Sequence, residues 1–265
     1  MVRIPAVAGQ FYPSEKKELE KEIEKMFEKA KVTNKKAIAA ISPHAGYYYS
    51  GGVAAYSYSA LKNIKPETIA IIGPNHTGFG FGVSIGKKEE WETPLGVVKV
   101  DTKKAYDIAK ENFVIDSSAH AYEHSIEVQI PFLQKTFKEF KILPICVMDQ
   151  RKETMIKLGN TLNKVLGKKD IIVASTDFSH YVPYSEAYKN DLKAIKKIEE
   201  LDINGLYEAI RKNNISMCGY GCVAAAIQFA KKRGAKKAEL LKYATSGDVT
   251  GDKAQVVGYA SIIIE

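Results

Sequence analysis

Cysteine is scarce in this 265-residue chain, which contains three, at positions 146, 218 and 222. An odd number in a chain of this length argues against a disulfide framework. No apolar run approaches the ~18 residues that a membrane span needs, and the first residues lack the basic-then-apolar order of a signal peptide. We therefore expect a cytoplasmic protein with no membrane partner, and the 45% apolar and 26% charged composition is ordinary for a globular domain.

Arginine is also rare, although the formal net charge is +8 from 39 basic and 31 acidic residues. Only four of the basic residues are arginines, and the lysines lie in scattered doublets mixed with glutamate. Proteins that read nucleic acids usually cluster their charge and use arginine forks beside aromatic platforms. We therefore predict a solvated lysine and glutamate surface and no nucleic-acid partner.

Strand and helix patterns alternate along most of the chain. Buried strands are predicted at Ala37–Ser42, Thr68–Gly73, Lys141–Met148 and Asp170–Ser175, and two further β-runs close the chain. Helices are predicted after a cap at Ser14, at Gly52–Leu61, after Thr102, and at Arg151–Leu166, Tyr184–Glu200, Asp202–Lys212 and Cys218–Arg233. This order predicts an α/β fold of three layers, αβα, with a largely parallel mixed central sheet. Without a linker, repeat or low-complexity tract, residues 1–265 are expected to form a single domain.

One region departs from this alternation. The segments FGFGVSIG and LGVVKV flank the turn-rich stretch KEEWETP and are predicted to form a hairpin that extends the sheet.

Side chains that can bind metal or carry protons follow three of the predicted strands. His44 follows the first, His76 follows the second, and Asp177 and His180 follow a later one. A lone histidine is more often structural, but in open α/β sheets the site forms at the carboxyl ends of the strands. The repetition therefore predicts a shared site, which Tyr47 and Asn75, beside the first two histidines, could line. Equally, Tyr47 could pack as an ordinary half-buried aromatic residue.

The stretch AHAYEHSIEVQ places His120 and His124 four residues apart, as it does Glu123 and Glu127. If the stretch is helical, each pair shares a face. It lacks the zincin order, in which glutamate directly follows the first histidine. His124 and Glu127 could instead aim at one point and orient a ligand imidazole. A helix start enriched in acids is an equally good interpretation.

The three cysteines differ in their surroundings. Cys146 lies inside a predicted buried strand and is expected to be a core residue. Cys218 and Cys222 lie at a predicted helix start, where amide dipoles lower a thiol pKa. One thiolate with two imidazoles would suit iron, copper or zinc, and a structural role is the better interpretation for Cys222.

Five of these motifs together resemble the Memo family: SPHAGYYYSG, IIGPNH, EHSIEVQIPF, ASTDFSHY and MCGYG. They occur in consistent order over nearly the whole chain. That family is similar in fold to the class III extradiol dioxygenases, whose non-haem iron lies between two histidines and a carboxylate. The resemblance implies that His44 and His76 are ligands and that Cys218 replaces the carboxylate. It also implies that His180 acts as the acid–base residue, with Asp177 near it.

Three functions are open at this point. The leading hypothesis is a mononuclear metal protein, with Fe(II) expected and copper or zinc as alternatives, that carries out redox or oxygen-dependent chemistry on a small substrate. The second is a non-catalytic metal-binding or peptide-binding module, whose cleft holds a peptide or phosphate without turnover, and the third is a metal-assisted hydrolase. The resemblance also implies a pathway shared with radical-SAM and AMMECR-type proteins.

Overall fold

The computed structural model describes residues 2–32 and 35–265. The strands in these ranges are β1 Val2–Arg3, β2 Ala39–Ser42, β3 Thr68–Pro74, β4 Val83–Ile85, β5 Glu90–Thr93, β6 Gly96–Val100, β7 Val114–Ile115, β8 Lys141–Val147, β9 Ile171–Ser175, β10 His180–Val182, β11 Ala238–Thr245 and β12 Val256–Ile264. The helices are α1 Lys16–Lys29, α2 Tyr47–Leu61, α3 Thr102–Ala109, α4 Ile130–Thr136, α5 Lys152–Val165, α6 Tyr184–Glu199, α7 Ile203–Asn213, α8 Tyr220–Lys232 and α9 Gly247–Thr250.

The strands form one mixed sheet with the path β1-β5-β6-β8-β3-β9-β2-β12-β10. The five central strands, from β6 to β2, run parallel to one another. Strand β12 pairs antiparallel with β2 and with β11, and β4 pairs antiparallel with β8. The sheet is therefore mixed and largely parallel, as predicted, with parallel and antiparallel pairs towards its margins.

Helices cover both faces of the sheet, so the fold has the three predicted layers. Successive residues of β2 face opposite sides of the sheet. Ala39 and Ile41 belong to the hydrophobic core on one side, and Ala40 belongs to the core on the other. The first core packs against α3, α5, α6, α7 and α8, and the second against α1, α2 and α4. Burial on both faces explains why the central strands read as unbroken apolar runs.

The order of the central strands determines where the site lies. Strand β9 lies between β2 and β3, with Ser42 opposite Ser175 and Ile72 opposite Ala174. The three strands therefore end at the same edge of the sheet. The residues that follow them, including three of the five histidines, are brought together there.

The structure corrects several local predictions. The hairpin is formed by β5 and β6, so the stretch described as a turn contains a strand, while β4 pairs with β7 and β8. Helix α1 begins at Lys16, after Glu15 rather than Ser14, and no side chain caps it. Helix α2 begins five residues earlier than predicted, at Tyr47. Among the described residues, no helix is both long and apolar enough to cross a bilayer.

Candidate metal centre

Two imidazoles and one thiol meet at the carboxyl edge of the sheet. His44 lies two residues beyond β2 and His76 two residues beyond β3, while Cys218 precedes α8. One ligand atom from each of the three side chains lies within 4.8 Å of the other two. The Cys218 Sγ atom is 3.2 Å from the His44 Nε2 atom. These three residues are the set to which the sequence motifs pointed.

The buried His44 ring is held in one tautomer. Its Nδ1 atom lies 2.9 Å from the Ser175 hydroxyl oxygen. That hydroxyl donates its only hydrogen to the Ser125 carbonyl at 2.6 Å and accepts from the Gln129 amide at 2.9 Å. The His44 Nδ1 must therefore be the donor, which leaves a lone pair on Nε2. Burial first, and then the neighbouring imidazoles, keep the pKa of His44 well below its usual value, so the ring is neutral.

A buried carboxylate orients His76. Glu123 accepts the His76 backbone N–H at 2.6 Å and approaches the ring Nδ1 at 2.9 Å. Burial alone would raise the pKa of Glu123, but hydrogen bonds from His76 and the Ser125 backbone outweigh it and lower the pKa to about 2. An ionised carboxylate can only accept, so Nδ1 donates and the His76 Nε2 lone pair stays free. This is the carboxylate–histidine pairing common behind metal ligands.

The Glu127 carboxylate forms its hydrogen bonds with groups other than the candidate ligand imidazoles. It accepts from the Arg3 guanidinium, the Tyr12 hydroxyl and two backbone N–H groups. The stretch is not a continuous helix, so the condition under which His120 and His124 would share a face is not met. Short 3₁₀ turns at Ser118–His120 and Glu127–Gln129 flank an irregular segment, which places Glu123 behind His76. Glu123 and Glu127 differ in which of them lies next to His76 in the folded chain. No local sequence pattern predicts this difference.

The environment of Cys218 differs from the expected one. Helix α8 begins at Tyr220, and burial together with the Asp177 charge raises the pKa of the Cys218 thiol rather than lowering it. The sulfur accepts the Asp177 backbone N–H at 3.2 Å. Cys222 is buried in the core, and burial raises the pKa of its thiol as well. A divalent ion that displaces the Cys218 proton would offset the unfavourable burial of the thiolate charge.

Asp177 and His180 lie against the same cluster. The buried Asp177 carboxylate accepts the His44 backbone N–H at 2.8 Å, and burial raises its pKa to about 6. His180 lies in the short strand β10, and its Nδ1 is 2.8 Å from the Ser216 carbonyl oxygen. Because a carbonyl only accepts, this nitrogen carries the hydrogen, and Nε2 is left as the acceptor.

A cavity of about 590 Å³ opens beside these groups. His44, His76, His124, Asp177 and His180 line one part of it. Aromatic side chains line another part, namely Phe11, Tyr49, Tyr181 and Tyr259. Most of these residues were not predicted to line a pocket, because they come from four separate segments.

His124 is a third imidazole at the site. Its ring lies 5.4 Å from that of His44 and stacks on that of His76, with centroids 4.7 Å apart. With His76 and Glu123 it forms a second set of ligand atoms within 4.8 Å of one another. Burial is the main cause that lowers the pKa of His124, so the neutral form of the ring is favoured.

Tyr47 and Asn75, which were predicted to line the pocket, lie outside the cavity, and so does His120. Tyr47 is buried, donates to the Val128 carbonyl at 2.7 Å and packs against core aromatics, so Tyr49 lines the cavity in its place. The Asn75 side chain accepts from the backbone of Thr77 and Gly78 and shapes the turn. His120 is buried beside Trp91.

The fold and the cluster define a class: a three-layer α/β protein with two imidazoles and a thiol at the carboxyl edge of a parallel sheet. The family model described as "Memo-like protein" matches residues 3–263. The chain therefore belongs to the Memo family, as its motifs suggested.

Relatives of similar length support this membership. A MEMO1 family protein of Methanosarcina barkeri is 46% identical over 268 residues, covering 100% of both chains. One of Saccharolobus solfataricus is 47% identical over 281 residues, covering 98% of each. A crystal structure of an uncharacterized protein from Escherichia coli K12 shares the fold with a TM-score of 0.56 at 13% identity, covering 85% of this chain and 98% of that one.

Proposed function

We propose that this protein holds one metal ion, Fe(II) by preference, and uses it for redox or oxygen-dependent chemistry on a small molecule. The observation that supports this most directly is the arrangement of His44, His76 and Cys218. Their ligand atoms lie within 4.8 Å of one another beside a cavity of about 590 Å³. Both imidazoles also carry an Nε2 lone pair, because Ser175 and Glu123 engage their Nδ1 atoms.

The donor set fits a borderline to soft transition metal. Imidazole nitrogen suits iron, copper and zinc, and a thiolate adds preference for softer ions than a carboxylate would. A set of three protein ligands leaves open coordination positions, as catalytic sites require. When bound, iron would supply one-electron redox chemistry and Lewis acidity at this point.

Residues around the cluster supply the remaining chemistry. His180 presents Nε2 as a proton acceptor, because its Nδ1–H is bound by the Ser216 carbonyl. It would accept a proton from a substrate hydroxyl and return it to the product. The aromatic wall formed by Tyr49, Tyr181 and Tyr259 would hold the apolar part of the substrate and exclude water.

Metal analysis of protein purified without a chelating tag tests the proposal. After anaerobic Fe(II) loading we expect one metal per chain, and loss of binding in His44→Ala and in Cys218→Ala. An oxygen-uptake assay, together with an ester, amide and phosphoester hydrolysis screen, then separates oxygen chemistry from hydrolysis. A wild-type protein that remains metal-free after loading would rule out this function.

A peptide-binding role is the second candidate, and the exposed aromatic residues at the cavity favour it. The Tyr49 and Tyr181 side chains are 43% and 72% exposed and line the same cavity. Aromatic rings of this kind are frequent in recognition surfaces. A peptide that binds equally well to wild type, His44→Ala and His76→Ala would favour this role over the metal chemistry.

A further inference from the structure

A segment near the start of the chain packs against the loops that carry candidate metal ligands and the residues that orient them. We name residues 3–12 the strap. It contacts the turn after β2 and the irregular segment before α4, which together carry His44, His124 and Glu123. None of its residues belongs to the ligand set, yet its contacts converge on that set.

Arg3 is the most deeply engaged residue of the strap. Its side chain is 1% exposed, and the guanidinium lies 4.2 Å from the centre of the Trp91 ring. It donates to the carbonyl oxygens of His120 at 2.7 Å and Glu123 at 2.9 Å, and to the Glu127 carboxylate at 2.6 Å. One planar fork therefore fixes three points of the segment that contains the carboxylate behind His76.

Glu127 ties the same segment back to the strap. Besides Arg3, its fully buried carboxylate accepts the Ala6 N–H at 2.8 Å, the Val7 N–H at 3.1 Å and the Tyr12 hydroxyl at 2.6 Å. The buried Arg3–Glu127 ion pair, with the additional donors to Glu127, fixes the relative position of the two segments, whatever its net contribution to the free energy of folding. The backbone of the strap and that of residues 120–127 are thus held in one arrangement.

Phe11 connects the strap to the loop after β2 and to the His124 ring. Its carbonyl oxygen accepts the Tyr47 N–H at 2.7 Å, at the start of α2 and three residues after His44. Its ring lies 4.7 Å from the His124 ring, centre to centre, and lines the cavity. The strap therefore contacts both the loop that carries His44 and the segment that carries Glu123 and His124.

We propose that the strap belongs to the metal centre, with Arg3 and Glu127 as positioning residues that hold Glu123 and, through it, the His76 imidazole. The inference rests on the proposed metal function. Groups that orient ligands typically change metal affinity by about 10- to 100-fold when they are altered, although they never touch the ion. Binding of the ion and ordering of the strap should favour each other, because such coupling is reciprocal.

Co(II) binding tests the proposal, since the visible spectrum of this ion reports thiolate and imidazole ligation directly. Arg3→Met and Arg3→Lys are compared with Asp170→Asn as the matched control. Asp170 is a buried carboxylate that binds Lys104 and the Thr68 N–H at the opposite edge of the sheet. We expect the Arg3 variants to bind Co(II) about 10- to 100-fold more weakly with an altered spectrum. The Asp170 variant should melt at a lower temperature yet keep the wild-type affinity and spectrum.

The outcomes separate the two ideas. A wild type that binds no Co(II) refutes the metal function itself. A wild type that binds, with Arg3 variants of unchanged affinity and spectrum, refutes only the role of the strap. The same conclusion follows if the Asp170 variant loses as much affinity as the Arg3 variants, because affinity would then follow global stability.

Amide hydrogen exchange on the unaltered protein gives an independent measurement, which does not depend on the variants folding. The Ala6 and Val7 amides, which donate to Glu127, should exchange at least several-fold more slowly when Zn(II) is added. Amides of α3, whose Lys104 binds Asp170 at the opposite edge of the sheet, should change less. Equal rates for Ala6 and Val7 with and without the ion would overturn the coupling.

Discussion

Asp191→Asn should remove a specific part of the pH dependence of folding. Asp191 of α6 is fully buried and accepts from the Ser179 backbone and hydroxyl at 3.1 and 2.6 Å and from the Tyr243 hydroxyl at 2.7 Å. Burial raises its pKa from 3.8 to about 6, despite these donors. The folded protein therefore holds this proton more tightly than the unfolded chain does.

The sign and size of the effect follow from that difference. A raised acid pKa contributes stability that is complete below about pH 4 and is lost as the pH rises through about 6. A difference of about two pKa units corresponds to roughly 3 kcal/mol. The neutral asparagine cannot titrate, so the stability of wild type minus that of Asp191→Asn should fall by about this amount between pH 4 and pH 7.

Urea unfolding of both proteins at pH steps from 4 to 7 measures this quantity, because contributions from all other groups cancel in the difference. Asp177, whose pKa is also raised to about 6, is present in both proteins. A difference that stays constant over this range would show that folding does not raise the pKa of Asp191, and the argument from burial would be refuted.

Three further changes give defined outcomes. Glu123→Gln should weaken metal binding about 10- to 100-fold in a competition assay, because an amide in its place no longer accepts every N–H donor behind His76; unchanged affinity would contradict this. Ile71→Ala should cost about 2–5 kcal/mol in chemical unfolding, because this residue is fully buried, without affecting metal stoichiometry. Gly258→Ala should lower the melting temperature, because a Cβ there would lie 2.0 Å from an Asp191 carboxylate oxygen; an unchanged melting temperature would show that α6 moves aside easily.

The sheet and its helices were predictable because their signals are local. Apolar runs long enough for β3, β8 and β9 lie between clear helical patterns, and such alternation leads to a three-layer fold. The β5–β6 hairpin was misplaced because charged residues surround Trp91, whose deep burial, like that of Thr93, marks this stretch as a strand. The burial of Trp91 depends on Arg3, far away in the sequence, so no local pattern could reveal it.

The two candidate ligand histidines were predictable because of their positions along the chain. The residues that hydrogen-bond to them were not. His44 and His76 lie at strand ends, and strand ends of a parallel sheet meet by construction. Glu123, Ser175 and Arg3 act through contacts between segments 40 to more than 100 residues apart, and only the folded chain specifies these contacts. The same limit explains why Glu127 was considered as the orienting carboxylate.

The position of β9 between β2 and β3 has a consequence for how such a site can change. Strands two places apart in a sheet are separated by about 10 Å, a distance set by the backbone alone. The two imidazoles therefore keep their spacing for as long as the sheet exists. The sulfur comes from a turn that belongs to neither strand, so a different third donor could be introduced there while the frame stays intact. A lineage could alter the set of donor atoms at one position without redesigning the scaffold around it.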